Sequence, residues 1–280
     1  MSVMPTIAER RQTFRGLHRS GCFAIPNPWD IGSARYLQHL GFKAIATTSA
    51  GFAFSRGLPD GAVGRDVMLE HIREIVETTD IPVNADFENG YADDAGEVAE
   101  SVRLCIETGV AGLSIEDNSG RKDRPLYDVD LAADRIRAAR EAIGDSGALL
   151  VARAECFLVG LTNIDEVIRR LTAYANAGAD CLYAPGIRDR NDIAAVVAAV
   201  APKPINLLIG GAVGLTMSDV AALGVRRVSV GGALARAAWG GFIRAAKELA
   251  EDGRFDGFMD AAPHDELQEF FRDDVKRHKH

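Results

Sequence analysis

The run "NADFENGYADD" (Asn84 to Asp94) places Asp86 and Glu88 two residues apart at the end of a strand-like stretch, with Asp93 and Asp94 just beyond a Gly-Tyr pair. Residues at that spacing share one face of a strand. "GLSIED" ends in the same way with Ser114 and Glu116, and "LLVARAE" with Arg153 and Glu155, opposite Leu150, Ala152 and Ala154. If these three runs are neighbouring strands, Asp86, Glu88, Glu116 and Glu155 converge around Arg153. Bare, such a cluster is costly. Two carboxylates about 4 Å apart repel by about 4 kcal/mol at an effective dielectric of about 20, and each raises the pKa of the next. A divalent cation removes the cost, and all-oxygen ligands favour Mg²⁺ or Mn²⁺. A structural ion network centred on Arg153 is the other arrangement that relieves it.

Histidine is placed where it cannot help. His18, His39 and His71 come early, His264, His278 and His280 come late, and none lies between. A site built from the middle of the chain therefore relies on carboxylates, Arg, Lys, Tyr or Cys, which argues against a Ser-His-Asp triad or a His-rich zinc site. Cys22, Cys105, Cys156 and Cys181 are far apart and mostly in apolar runs. That pattern fits reduced, buried thiols in the cytoplasm rather than a disulfide frame.

The elements that position the acidic residues read as alternating strands and helices. Candidate strands are 22–26, 43–49, 82–88, 112–117, 149–155, 181–185, 204–209 and 227–231. Between the third and fourth, Ala95, Val98, Ala99, Val102, Cys105 and Ile106 recur at helical steps. Asp94 with Glu97 resembles a capping box there, and Gly109 suits the stop. A glycine precedes a strand again in "NAGADCLY" and "ALGVRRVSV". Eight such units predict an α/β fold, a (β/α)8 TIM barrel with extra C-terminal helices. An open doubly wound sheet would carry G-x-G-x-x-G after its first strand, and none is present. After Gly240 a helix, the turn-rich "EDGRFDG" and an amphipathic helix follow. The apolar face of that last helix (Leu267, Phe270, Phe271, Val275) needs a cover, from the barrel or from another subunit.

The bulk numbers agree with one soluble domain, taken as 1–280. The chain has 280 residues, 47% hydrophobic and 26% charged, within the range of a single barrel. A net charge of −8 argues against nucleic acid or an anionic membrane as partner. No signal peptide or bilayer-spanning apolar run is visible.

In such a barrel the strand C-termini carry the active site. The second strand ends in Thr48, Ser49, Ala50 and Gly51, small enough to let backbone N–H groups approach an anion. The long Gly-rich loop behind them, with Arg56 and Asp60, suits a lid.

"NPWDIGSARYLQHLGFKAIATTSAG", "DFENGY", "GVAGLSIED" and "VARAECF" together resemble the phosphoenolpyruvate mutase/isocitrate lyase superfamily over roughly residues 20 to 235. Members are (β/α)8 barrels, typically oligomers that exchange a C-terminal helix. They use Mg²⁺ to hold a 2-oxo or enolate carboxylate while a neighbouring C–C or P–C bond is broken, made or rearranged. The resemblance implies Asp86 as direct metal ligand, with Glu88 and Glu116 holding its waters. It implies Thr48, Ser49 and Ala50 at the substrate carboxylate and oxyanion, and Arg153 at the migrating or leaving anion. Asp60 becomes the acidic residue of the gating loop. The catalytic set is then Arg153, Asp60 and Thr48, and the substrate-binding set Thr48, Ser49, Ala50, Asp86, Arg153 and Asn206. A homodimer or homotetramer is implied, with the helices from about 241–280 exchanged and a small carboxylate or phosphonate as substrate.

Departures from the family pattern narrow the chemistry. Isocitrate and methylisocitrate lyases share a Lys-Arg-Cys-Gly-His type loop after the fourth strand, with Cys as the acid. Here "NSGRKDRPLYD" has neither Cys nor His, and Cys156 has the parity of a core thiol. The mutases carry Asp-Ala-Asp-Thr-Gly-Tyr where this chain has "DFENGY". Pro185 stands for their sixth-strand His, and Lys122 and Arg124 stand near their Lys and Asn. Phosphonomutase-like action on a phosphonopyruvate- or oxaloacetate-type acid is the expectation. A methylisocitrate lyase-like or condensing aldolase-like enzyme is the alternative within the family, and a non-catalytic binder of an acidic metabolite the alternative outside it.

Overall fold

A computed structural model describes residues 4–277; His278 and His280 lie outside the described residues. Two compact units emerge, Pro5–Gly232 and a second holding the helices from Ala233 onward. The first begins with α1 (Ile7–Leu17), β1 (Phe23–Ile25), α2 (Ile31–His39), β2 (Ile45–Ala46) and α3 (Ser49–Ser55). It continues through α4 (Arg65–Thr78), β3 (Val83–Asp86), α5 (Ala95–Glu107), β4 (Gly112–Glu116) and α6 (Val129–Ile143). The rest is β5 (Leu149–Arg153), α7 (Ile164–Asn176), β6 (Cys181–Tyr183), α8 (Arg190–Val200), β7 (Ile205–Leu208), α9 (Met217–Ala222) and β8 (Arg227–Ser229).

All eight expected strands are present, each shorter than its sequence run. They pair in parallel in the order β1-β8-β7-β6-β5-β4-β3-β2. The remaining seam is bridged by the Ala46 amide donating to Pro26 O at 3.0 Å and by Asn27 Nδ2 donating to Thr47 O at 2.9 Å. The result is the eight-stranded barrel that the alternation predicts.

Glycine stops each of the helices before β4, β6 and β8. Gly109, Gly178 and Gly224 take φ of 89°, 105° and 84°, a region that costs a residue with a Cβ. α5 is capped by Asp94, whose side chain accepts from the Gly96 and Glu97 amides. It buries Val98, Val102 and Cys105 against the barrel wall, each worth about 1.5–3 kcal/mol of transfer free energy at most.

α1 closes the N-terminal end of the barrel. Phe14 is buried with Ile25, Ala46, Ala111 and Leu149. Arg11 and Arg15 donate to Val110 O and Gly147 O, just ahead of β4 and β5. Gly112 is required by this plug, because a Cβ there would stand 2.9 Å from Phe14 Cε1 and from Leu149 O.

The second unit holds α10 (Ala233–Asp252) and α11 (His264–Arg277), joined through a turn at Asp256–Phe258. α10 starts before the boundary expected near 241 and runs through Gly240 and Gly241, which lower helix propensity without ending it here. On the expected apolar face of α11, Leu267, Phe271 and Val275 are 40%, 38% and 51% exposed.

Candidate active site

β3, β4 and β5 are adjacent and in register, with Asp86 opposite Ser114 and Glu116 opposite Arg153. Three carboxylates meet on one guanidinium. Arg153 donates from Nη1 to Asp86 Oδ1 at 2.7 Å, from Nη2 to Glu116 Oε2 at 3.0 Å and from Nε to Glu155 Oε1 at 2.9 Å. Its guanidinium carbon also lies 5.0 Å from the centre of the Tyr183 ring. Burial opposes the charge on Arg153, yet Glu116, Glu155 and Asp86 outweigh burial and hold its pKa well above the ordinary arginine value. The carboxylates are in excess. Burial, then Glu155 and Asp86, pushes Glu116 well above the usual carboxylate range even with Arg153 beside it.

Glu88 reaches the same mouth by another route. β3 ends at Asp86, so strand alternation does not carry Glu88 to the interior as its sequence position implies. Glu88 and Tyr91 instead take left-handed conformations, φ 47° and 58°, which are uncommon outside glycine. Buried Arg135 of α6 holds this turn by donating to Asn89 O, Ala92 O and Asp93 O. Tyr91 Oη then donates to Glu88 Oε1 at 3.2 Å. Burial and Asp86 raise the Glu88 pKa to about 7. Asp60 is raised by desolvation and by Asp86.

Thr48 and Ser49 do not extend a strand. Thr48 caps α3, its hydroxyl accepting from the Gly51 amide, and Ser49 opens the helix. The Ser49 amide and hydroxyl, expected to face an anionic ligand, both donate to Asp86 Oδ2, at 3.0 and 3.1 Å. Both oxygens of Asp86 thus have protein partners.

Two chambers open at this end of the barrel. The outer, about 520 Å³, is lined by Asp60, Glu88, Glu116, Asn118, Arg153 and Glu155 among others. The inner, about 170 Å³, is lined by Thr48, Ser49, Ala50, Asp86, Tyr183 and Arg227 among others. Arg153, Ser49, Asp60 and Leu158 line both. Of the sequence candidates, Thr48, Ser49, Ala50, Asp60, Asp86, Glu88, Glu116 and Arg153 are brought together here. Asn206 sits lower, buried, donating to Ser229 Oγ and accepting from Arg227 Nε, and lines neither chamber.

The loop after β4 is tied down. Asn118 bridges Leu126, and the Ser119 amide donates to Pro125 O at 2.8 Å. Arg124 pairs with Asp128, and neither Lys122 nor Arg124 lines a chamber. Behind the site, Asp117 was not singled out by the sequence pattern. It accepts from Tyr174 Oη at 2.5 Å, from Arg170 Nη1 at 3.0 Å and from the Glu155 amide at 2.8 Å, which ties the ends of β4 and β5 together. Cys156 is a core thiol, fully buried.

Among the described residues no three His, Cys, Asp or Glu side chains form a ready-made metal cage. Arg153 occupies the space between Asp86 and Glu116 instead. The donor set still fits a hard cation: Asp60, Asp86, Glu88, Glu116 and Glu155 are all oxygen donors, they outnumber the two guanidinium groups of Arg153 and Arg227, and among the described residues Glu88 pairs with no cation.

A closed parallel barrel with its polar cluster at the strand C-termini has the architecture of a TIM-barrel enzyme. The chain belongs to the phosphoenolpyruvate phosphomutase family, whose model matches residues 14–250, and it is an enzyme of that family. A structure from Burkholderia cenocepacia J2315, provisionally assigned as a lyase/mutase, is 50% identical with TM-score 0.92, covering 95% of this chain and 97% of its own. A phosphonopyruvate hydrolase solved with oxalate and Mg²⁺ is 27% identical with TM-score 0.84, covering 96% of each chain. The oxaloacetate decarboxylase of Bradyrhizobium sp. (strain ORS 278) is 30% identical over 80% of this chain and 78% of its own length.

Proposed function

We propose that this enzyme cleaves or rearranges the C–C or P–C bond next to the 2-oxo group of a small acid of the oxaloacetate or phosphonopyruvate type, with Mg²⁺ as cofactor. The observation that carries this reading is the set of oxygen-only carboxylates gathered around Arg153 at the ends of β3, β4 and β5. Similarity to an oxaloacetate decarboxylase and to a phosphonopyruvate hydrolase supports the substrate class.

Asp86 would hold the cation directly, with Glu88 and Glu116 holding its waters. Bound Mg²⁺ supplies Lewis-acid stabilisation of the charge that develops on the 2-oxo oxygen. Were Asp86 and Glu116 to hold the cation, Nη1 and Nη2 of Arg153 would be free to face the substrate. Arg153 would bind the carboxylate or phosphonate group that leaves or migrates. The electron pair of the breaking bond stays with pyruvate as its enolate, while the carboxylate departs as CO2 or the phosphoryl group passes to the enolate oxygen or to a water enclosed in the site. Thr48, Ser49 and Ala50 orient the carboxylate and the oxyanion. Asp60 closes the mouth from the loop after α3, which excludes water from the reacting atoms.

The absence of Cys and His from the stretch 118–128 favours this chemistry over a methylisocitrate-type lyase with a Cys acid. The exposed apolar residues of α10 and α11 support a homo-oligomer that covers them. The four unpaired cysteines fit a reducing compartment, the cytoplasm, and no helix among the described residues is long and apolar enough to cross a membrane. A turnover screen on phosphonopyruvate, oxaloacetate and methylisocitrate, with and without Mg²⁺, tests the assignment. Activity on either of the first two supports it, and activity on methylisocitrate alone overturns it.

A further inference from the structure

Arg227 is a buried cation with no carboxylate within ion-pairing distance among the described residues. It is 2% exposed and sits on β8, level with Asn206 on the neighbouring strand. Its Nε donates to Asn206 Oδ1 at 2.7 Å and its Nη1 to Asn84 Oδ1 at 3.3 Å. Both partners are neutral amides, turned so that their carbonyl oxygens face the guanidinium. Among the described residues Nη2 has no protein acceptor. Arg227 lines the inner chamber, so the free end of the guanidinium opens on that space.

The two chambers differ in charge. Asp60, Glu88, Glu116 and Glu155 crowd the outer one. Asp86 and Asp60 also line the inner one, but Asp86 lies two residues nearer the mouth than Asn84 on β3 and already has Arg153 and Ser49 as partners. Two residues deeper on their strands lie Asn84 and Arg227, with the hydroxyls of Ser114 and Ser229 above them. An arginine keeps its proton at any ordinary pH, and a buried charge without a counter-ion is costly. Burial and the charge of Arg153 hold the Arg227 pKa below the ordinary arginine value. The guanidinium carbon also lies 6.0 Å from the centre of the Phe14 ring, and neither that ring nor the two asparagines neutralises the charge.

We propose that Arg227 forms the floor of an anion subsite, and that the substrate enters the inner chamber carboxylate first, with Arg227 Nη2 as the charge partner of that carboxylate. This rests on the reading of the site as one for 2-oxo acids and deepens it. The carboxylates at the mouth, Asp86 among them, take the cation, and the deeper end of the inner chamber takes the anion. A guanidinium presents parallel N–H groups that match a carboxylate, so the subsite selects a planar carboxylate at this end of the substrate.

Oxalate is the probe. Its affinity is measured by titration calorimetry in Mg²⁺ buffer and after chelation, for the wild type, Arg227→Gln and Arg227→Lys, with a thermal melt of each. The expected result is a loss of roughly tenfold or more in oxalate affinity for Arg227→Gln and a smaller loss for Arg227→Lys, which keeps the charge. A folded Arg227→Gln that binds oxalate like the wild type overturns the proposal. If that variant does not fold, a crystal structure of the wild type with oxalate decides. A carboxylate oxygen within hydrogen-bonding distance of Arg227 Nη2 supports the subsite, and oxalate held only at the mouth overturns it. Turnover is not read in either measurement. An Arg227-dependent oxalate site in a protein inactive on every 2-oxo acid removes the functional reading and leaves the subsite, and the reverse pattern does the opposite.

Discussion

Arg153 Nη1 stands 2.7 Å from Asp86 Oδ1, so the arginine holds the carboxylate that a cation would need as its first ligand. The pair is mostly buried, and Ser49 completes the coordination of Asp86 from the other side. A cation and Arg153 compete for the same oxygens. On the proposed reading, the ion network and the metal site are two states of one cluster rather than alternatives.

Removing Arg153 therefore exposes the repulsion it relieves. Arg153→Met leaves Asp86, Glu116 and Glu155 without a shared cation, and breaking a buried ion network of this kind costs about 3–5 kcal/mol. The melting temperature of Arg153→Met is expected to fall well below that of the wild type in EDTA and to recover in large part on adding Mg²⁺. Catalysis is expected not to recover with it, because on the proposed reading Arg153 binds the departing group. Equal melting temperatures with and without Mg²⁺ would count against a shared site.

Acid stability has a separate source in His71. This residue of α4 stacks on Phe52 at 3.8 Å between ring centres, with a buried Nε2 that has no partner. Burial lowers its pKa from 6.5 to about 4, with Asp30 opposing. Between those values the unfolded chain binds a proton that the native state does not, so stability falls as pH drops from about 6.5 to about 4. Above that window the stabilisation is complete. The shift corresponds to a loss on the order of 3 kcal/mol across the window. His71→Phe keeps the stacked ring and removes the titration. Urea unfolding at pH 4 to 7 is expected to show a flatter acid limb in that variant, and an unchanged limb would assign the acid sensitivity elsewhere.

The C-terminal unit points to self-association. Trp239, Phe242 and Ile243 on α10 are 40%, 61% and 45% exposed, a run of apolar surface that monomeric proteins rarely leave open. Light scattering is expected to give a dimer or tetramer for the wild type. Phe242→Asp is expected to shift the population toward monomer while leaving the far-UV spectrum unchanged. A wild-type monomer at micromolar concentration would contradict the oligomer.

Much of this was legible in the residues. Alternation on β3, β4 and β5 put Asp86, Glu116 and Arg153 on one face, and the positive-φ glycines marked the helix stops, because both follow from local geometry. Glu88 was placed at the right mouth for the wrong reason: a left-handed turn pinned by Arg135, fifty residues downstream in round numbers, is a tertiary effect that no strand period encodes. Ser49 illustrates the same limit. Its small size was readable, but its donation to Asp86 depends on where α3 begins. Asp117 and Arg227 gave no local signal either, since one acts through the Glu155 backbone amide just beyond β5 and the other through asparagines on two other strands.

The most direct test of the central claim is the Mg²⁺ dependence of turnover in the wild type and Asp86→Ala, with the best substrate from the 2-oxo acid screen. The wild type is expected to lose activity on exhaustive chelation and regain it on adding Mg²⁺. Asp86→Ala is expected to stay folded, since Arg153 keeps Glu116 and Glu155, and to lose activity by roughly a thousandfold or more at every Mg²⁺ concentration. Turnover that survives chelation, or an Asp86→Ala variant with near-normal rates, would contradict the account.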